Sequence, residues 1–515
     1  MEIFGVNISG WFLTVAIIVC TLYLYSKWKH SLWKSIGVPG PDPIPYMGIM
    51  MSYFKKGTCH TDRELIEKYG DVVGIYQCHH PVLLVADPDM IKEIFIKGFS
   101  NFTNRWLPVN PPKENMTGVA IAKDAHWKFL RNTLSPTFTS SKLKMMMPKI
   151  HRCCRDLVDN IISQSVKGEP VDMREACGSY TMDIIASTAF GIEVNSQKDP
   201  NNKFVYYGKK AAIGQLARPF ALFMMMFPFL KKWISVRLSN KEVADFFRSA
   251  LESAIKIRQE GKEEYHDFLQ LMLNARQSED NEDNSVFADS KEYKNRGLNK
   301  SEIQGNALTF FLAGYDTTAN TLSFACYTLA TRQDIQDKVM EEIDTVLNGE
   351  DPQFDTIGQL NYLDKFFSEV LRLYGAAVRF SRECKEDATV KGVFIPKGAN
   401  IEIPLFAMHR NPKYWPDPEY FDPERFTEEN KAKRPEYSYL PFGIGSRICL
   451  GRRLALLEAK MALVYMVQNF TFSACDKTEY KSSLCEATTY NVYTLSGQRN
   501  KIQTPFLVQK DYSDD

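Results

Sequence analysis

The 515-residue sequence has no CxxC pair, and its eleven cysteines fall from Cys20 to Cys485 without regular spacing. That excludes a dense disulfide framework and a zinc-finger ligand pattern, so most thiols read as reduced, in a protein facing the cytosol. Adjacent Cys153 and Cys154 read as inert core residues. There is no internal repeat and no Arg/Lys-rich arm, and the net charge is only +1, so nothing points to nucleic acid. A flavin or nicotinamide fingerprint is absent as well. Long apolar runs are scarce, with one exception near the amino terminus.

From Ile8 to Tyr25 the chain is nearly free of charge, with Trp11, Tyr23 and Tyr25 near the ends of the run. This length just crosses a bilayer as a helix, and interfacial aromatics belong at its ends. A cleaved signal peptide and a shallow interfacial helix are the other readings, although Glu2 replaces a basic leader and no small-residue cleavage site follows. Lys27, Lys29 and Lys34 come next, and the positive-inside tendency then leaves the body in the cytosol. Residues 1–26 are therefore read as a transmembrane anchor, 27–48 as a basic, proline-rich linker, and 49–515 as the body. Within the linker, GVPGPDPIPYMG excludes helix and favours an extended, semi-rigid connector.

In the body, Val72–Tyr76, Val82–Ala86 and Val393–Pro404 read as strands, while nearly all else from about Asp87 to Phe380 has helical spacing. The expected class is mainly α with a small β portion. Ser278 to Arg296 reads as a solvated polar loop. Arg218 to Leu230 is unusually apolar but broken by Pro219 and Pro228, so it is either buried core or an apolar roof that meets lipid or greasy ligands.

The stretch Pro441–Gly451, PFGIGSRICLG, places three glycines around Cys449 beside Arg447. Glycines let backbone N–H groups approach a sulfur closely, and the arginine adds fixed positive charge. A metal-ligating or redox thiolate and an inert cysteine are the two readings that the residues allow.

Phe442, Gly445, Arg447, Cys449 and Gly451 resemble the F-x-x-G-x-R-x-C-x-G signature of cytochrome P-450 haem-thiolate enzymes. Further matches follow the family's order. Ala313–Thr318 resembles its oxygen-activation segment, Glu369 and Arg372 its E-x-x-R pair, and Pro423–Phe426 the segment whose Arg425 completes a Glu–Arg–Arg cluster. The resemblance spans the chain and is nearest to the microsomal, family-three drug- and steroid-oxidising P-450s, in fragments such as DFLQLML, FIPKGANIEIP and HRNPKYW. Gly375 departs from it, standing where that pattern has proline.

The resemblance implies a P-450 fold with one catalytic domain behind the anchor, on the cytosolic side of the endoplasmic reticulum membrane. It implies haem b, with Cys449 as the axial iron ligand, and electrons from NADPH through a separate flavoprotein reductase, with cytochrome b5 as a second donor. Asp316 and Thr317 are the implied proton-delivery pair. Trp127 and Arg131, with Arg105, Arg379, Arg382 and Arg447, are candidates to meet the haem propionates. Thr309, Ala313 and Thr317 repeat every four residues along one face of the central helix, with Phe310 alongside, and with Ala376, Ala377 and Val378 are expected to line a pocket for lipophilic substrates. Glu369, Arg372 and Arg425 are expected to be structural. Lys128, Lys142, Lys144, Arg452 and Arg453 are the candidate basic face for the reductase. The implied reaction is monooxygenation of xenobiotics, steroids or other lipids. The alternative is a haem-thiolate isomerase or dehydratase that rearranges a lipid peroxide without O₂ or reductase.

Overall fold

The computed structural model describes the chain apart from residues 1, 4–5, 8–9, 108–115, 166–169, 200–201, 213–218, 228–240, 261–264, 266, 278–295, 476–477, 479–504 and 510–515. The polar loop before Arg296 and the ends of the Arg218–Leu230 stretch lie outside the described residues.

The apolar run forms helix α1 (Gly10–Lys29), 20 residues long and therefore about 30 Å at helical rise. Its side chains are largely exposed, Trp11, Phe12 and Leu24 among them, which suits lipid and not water. The connector that follows is docked on the body. The Trp33 indole N–H donates to the Ile75 carbonyl oxygen (2.9 Å), His30 bonds the Cys78 carbonyl (2.9 Å), and the Tyr46 hydroxyl reaches back to the Leu22 carbonyl (2.9 Å).

Strands β1 (Val72–Gln77) and β2 (His80–Val85) form a hairpin, with Val73 opposite Leu84. Both faces are buried, so the runs are continuous and apolar instead of alternating. A helical block follows: α2 (Asp124–Leu134), α3 (Ser140–Ser165), α4 (Met173–Ile185), the short apolar α5 (Pro219–Met226), α6 (Lys300–Thr331) and α7 (Asn361–Tyr374). In α5, Met224 and Met225 are buried while Phe223 is exposed, so this helix is half core and half surface. Strands β3 (Arg379–Glu383) and β4 (Asn400–Pro404) then complete a four-stranded sheet in the order β1-β2-β4-β3, and α8 (Arg452–Asn469) closes the core. β4 pairs parallel with β2 and antiparallel with β3.

The architecture is mainly α with a small sheet, as the sequence pattern predicts. β3 has no counterpart in that reading, because its arginines and serine hide a strand whose neighbours supply the apolar faces. The predicted single run from Val393 divides into a short strand, Val393–Ile395, and β4.

Helix α6 runs through the molecule, packed on α4, α7 and α8. It starts at a capping box in which Asn299 accepts from the Glu302 N–H while the Glu302 carboxylate accepts from the Asn299 N–H (both 2.9 Å). This fixes the rotation of α6, and with it the residues that face the cavity beside α8.

Candidate functional site

The Cys449 loop owes its path to two glycines with left-handed backbone, Gly443 (φ +83) and Gly445 (φ +67). A Cβ on Gly445 would lie 2.6 Å from the Phe95 carbonyl oxygen, so the loop sits directly on the backbone below the sheet. The Cys449 N–H donates to the Phe442 carbonyl (2.9 Å), and α8 begins after Gly451. Cys449 is exposed and lines an interior cavity. Burial pushes its pKa up, and the Gly451 N–H and the charges of Arg131, Arg105 and Arg452 oppose that shift.

The cavity has a volume of about 420 Å³ and lies between α6 on one side and the Cys449 loop with α8 on the other. Thr309, Phe310, Ala313 and Thr317 line it from α6, and Ala376 and Ala377 from the turn after α7. Phe442, Arg447 and Gly451 line the cysteine side. Val378 does not line it; this residue is buried with Cys59 beneath Phe406. Gly314 does line it, but the space of its missing Cβ is filled by Ile185 of α4, whose Cδ1 would be 2.6 Å away.

Three guanidiniums line one edge, Arg105, Arg131 and Arg447, and a fourth, Arg382, lies behind them without lining the cavity; none has a carboxylate partner among the described residues. Arg105 donates to the Ala120 carbonyl (3.0 Å) and Arg131 to the Ile448 carbonyl (2.8 Å). Arg447 donates to the Thr103 and Ala122 carbonyls (2.9 and 2.8 Å) and lies over the Trp127 ring. Arg382 lies over Phe95, with its Nε unbonded and buried. Burial pushes Arg447 down to about 8, and repulsion from Arg105 and Arg382 adds to this. Burial and repulsion from Arg105 push Arg382 down to about 9. The carboxylate felt by Arg447, Asp124, is itself paired with Lys385. So many buried cations with only carbonyls around them are costly unless an anion joins them. Arg379 is placed elsewhere: it pairs with Asp62 and with Glu402 (2.7 Å) and bonds Tyr53, away from the cavity.

Thr317 faces the cavity, and its hydroxyl donates to the Ala313 carbonyl (2.6 Å), one turn back. Asp316 points away from the cavity, held by Arg174 of α4 and by the Asn320 side chain (3.3 Å). On α7, Glu369 and Arg372 form a bidentate pair (2.7 and 2.8 Å), both fully buried, and Arg425 approaches Glu369 at 3.5 Å. Arg372 also donates to the His409 and Pro418 carbonyls (2.8 and 2.7 Å). Gly375 ends α7 where a Cβ would meet the Leu371 carbonyl at 2.6 Å, so the chain turns toward Ala376 more tightly than a side chain permits.

Of the basic residues named for an electron donor, Arg452 and Arg453 are exposed beside the cysteine loop, while Lys144 is paired with Asp355 (2.8 Å).

The cytochrome P450 family model matches residues 38–496, which contain every part of this site. The chain belongs to the cytochrome P450 family. It is 40% identical over 478 residues to cytochrome P450 3A7 of Homo sapiens, covering 92% of each chain. It is 40% identical over 486 residues to cytochrome P450 3A41 of Mus musculus, covering 93% of this chain and 94% of that one. With cytochrome P450 3A9 of Rattus norvegicus the identity is 41% over 481 residues, covering 92% of each. As a P450, the protein is a monooxygenase of the microsomal type, at the endoplasmic reticulum membrane, with haem b as its prosthetic group and NADPH as the electron source through a reductase.

The cavity of this P450 fits that group. One face offers a sulfur with a backbone donor, the opposite face is lined by Ala313, Gly314, Phe310 and threonines, and one edge carries cations without carboxylate partners among the described residues, suited to two carboxylates. The sequence pattern does not single out Glu458, a buried acid of α8 that also lines the cavity. Phe138, Ile185 and Phe268 also line the cavity and are not singled out by the sequence pattern, because nothing local to them, not even the DFLQLML fragment around Phe268, tells which way they face.

Proposed function

We propose that Cys449 is the axial thiolate ligand, that Arg105, Arg131, Arg382 and Arg447 with Trp127 hold the propionates, and that the substrates are lipophilic xenobiotics and steroids. The proposed organisation is an anchor over residues 1–26, a connector over 27–48 and a haem-thiolate domain over 49–515. The observation that carries the reading is the Cys449 sulfur, open to a largely apolar cavity whose edge holds guanidiniums without carboxylate partners among the described residues.

When bound, haem supplies oxygen activation and the oxidising equivalent. The chain supplies the rest. The Gly451 N–H and nearby arginines stabilise negative charge on Cys449. Phe310, Ala313 and Ala377 present an apolar surface that holds a greasy substrate and excludes bulk water. Thr317 holds or passes a proton at its Oγ on the cavity side, and Asp316, tethered to Arg174 on the far side of α6, connects that hydroxyl to solvent by rotating about its side-chain bonds. Arg452 and Arg453, with Lys128 and Lys142, offer cations to an acidic reductase or to cytochrome b5.

The test is spectroscopic. The reduced protein with carbon monoxide is expected to give the strongly red-shifted Soret band of thiolate-ligated haem, and Cys449→Ser to abolish it. Persistence of the band in the variant overturns the ligand assignment. Turnover with NADPH and reductase, against turnover with a lipid hydroperoxide alone, separates the monooxygenase from the isomerase or dehydratase.

A further inference from the structure

We propose that Glu458 is a proton-holding residue of the cavity, a carboxylic acid that gives its proton through the Thr318 hydroxyl to the cavity face of α6. This rests on the monooxygenase reading above.

Glu458 lies on α8, nine residues beyond Cys449, and is only 3% exposed, yet it lines the cavity. Among the described residues no cation pairs with it, and no backbone N–H bonds its carboxyl group. Its own carbonyl oxygen is taken by the Tyr180 hydroxyl (2.8 Å), which fixes the helix but leaves the side chain uncommitted. The polar group facing it is Thr318, also in the cavity lining, whose buried hydroxyl lies close enough to favour the Glu458 carboxylate but is committed to no other group among the described residues. A buried acid and a hydroxyl that meet only each other across facing helices, with no cation beside them, are a costly use of core volume if their role is only to fill space. A water bound between them completes both sets of hydrogen bonds and links Glu458 to the residue next to Thr317.

The charge state follows from the surroundings. Burial pushes the Glu458 carboxyl up to about 8, and the Thr318 hydroxyl pulls it slightly down. The titratable groups behind it are Tyr180 on α4 and Cys154 on α3, whose sulfur is 3.5 Å from the Tyr180 oxygen. Burial pushes both upward, so both stay neutral at pH 7. Phe367 and Leu371, on the α7 side, are apolar. Lys460, two residues along α8, is engaged by Asp364. At neutral pH Glu458 is therefore largely the neutral acid, the form that can donate.

The step balances as a proton transfer alone. The Glu458 O–H bond breaks as the Thr318 Oγ, or water on it, accepts the proton. A proton passes from that site to the cavity, and the carboxylate left behind is reprotonated from solvent. No oxidant or reductant takes part, and Thr317 keeps its own bond to Ala313.

Infrared spectroscopy of the intact, haem-loaded protein reads the acid directly. A protonated-carboxyl stretch, shifted in D₂O, is expected at pH 7, absent from Glu458→Gln and fading in wild type with a midpoint near 8. In turnover with reductase, Glu458→Gln is expected to keep consuming NADPH while product falls, by up to about a hundredfold for an obligatory acid, and peroxide rises. Wild-type product yield should decline above pH 8, and the variant should lack that alkaline limb. If Glu458→Gln loses haem, Thr318→Val carries the same test: it removes a hydroxyl committed to no group but Glu458 among the described residues, so it should retain the infrared band but lose the limb. The proposal is overturned if Glu458→Gln leaves the band in place, or if both variants keep wild-type coupling and pH profile. The carbon monoxide band of Cys449 is scored on the same samples, so failure of the haem-thiolate reading is distinguishable from failure here.

Discussion

Replacing Arg131 by Met should cost affinity for haem but not for haem whose two propionates are esterified. Arg131 is the simplest of the three arginines lining the cavity, because among the described residues its hydrogen bonding is to the Ile448 carbonyl at 2.8 Å, which uses one arm of its fork. Burial pushes its pKa down, and the charge of Cys449 partly restores it, so the cation gains from any further anion. A charge-assisted hydrogen bond contributes about 1.5–3 kcal/mol, which is about 10- to 150-fold in affinity. The assay is titration of haem-free protein with haem and with its dimethyl ester, read by quenching of tryptophan emission, for which Trp127 in the cavity wall is a built-in reporter. Wild type should favour the diacid strongly, and Arg131→Met should shrink that preference by the stated factor. Arg379→Met is the control, since Arg379 is spent on Asp62 and Glu402, and it should leave the diacid-to-ester ratio unchanged. An equal ratio in wild type and Arg131→Met refutes the argument that this edge is built for propionates.

Other outcomes are equally specific. Glu369→Gln, which leaves Arg372 buried without its charge partner, should destabilise the fold by about 3–5 kcal/mol in urea unfolding, whereas a surface pair would cost under about 1 kcal/mol. Gly445→Ala puts a methyl group 2.6 Å from the Phe95 carbonyl oxygen at a positive φ, so haem content per chain should fall even where the chain folds. Burial alone would raise the Glu302 carboxyl, but Arg296, His126 and the Asn299 N–H overcome this and hold it at about 2. A depressed acid stabilises above its unfolded value of about 4.5 and loses that contribution as pH falls through about 2; Glu302→Gln should cost about 1–2 kcal/mol at pH 7, with the gap closing in that acid window. Thr317→Ala should retain haem and divert NADPH into peroxide, and unchanged coupling would remove Thr317 from proton delivery.

Much of this molecule is legible in its sequence because its demands are local. A loop crossing backbone at Gly445 must be glycine, a membrane span must be apolar for about 20 residues, and α7 shows its Glu–Arg pair at a spacing of three. The sequence hides what depends on distant neighbours. Nothing in VRFSREC tells which of Arg379 and Arg382 joins the arginines beside the cavity; that is decided by Asp62, more than 300 residues away, which takes Arg379 and leaves Arg382 near Arg105 and Arg447. Asp316 likewise reads as a cavity residue beside Thr317, but at about 100° per residue its neighbour's direction is not its own, and Arg174 claims it. Glu458 is invisible for the same reason, since one acid on a helix says nothing of what it faces until α6 is packed on α8.

The docking of Trp33 and His30 on the hairpin ties the chain to the body directly after α1. The angle at which α1 leaves the body is then a property of the protein and not of the bilayer, so a membrane of different thickness must tilt the whole body or deform itself. Exchange of α1 alone for another span should preserve that angle, whereas exchange through residue 48 should release it.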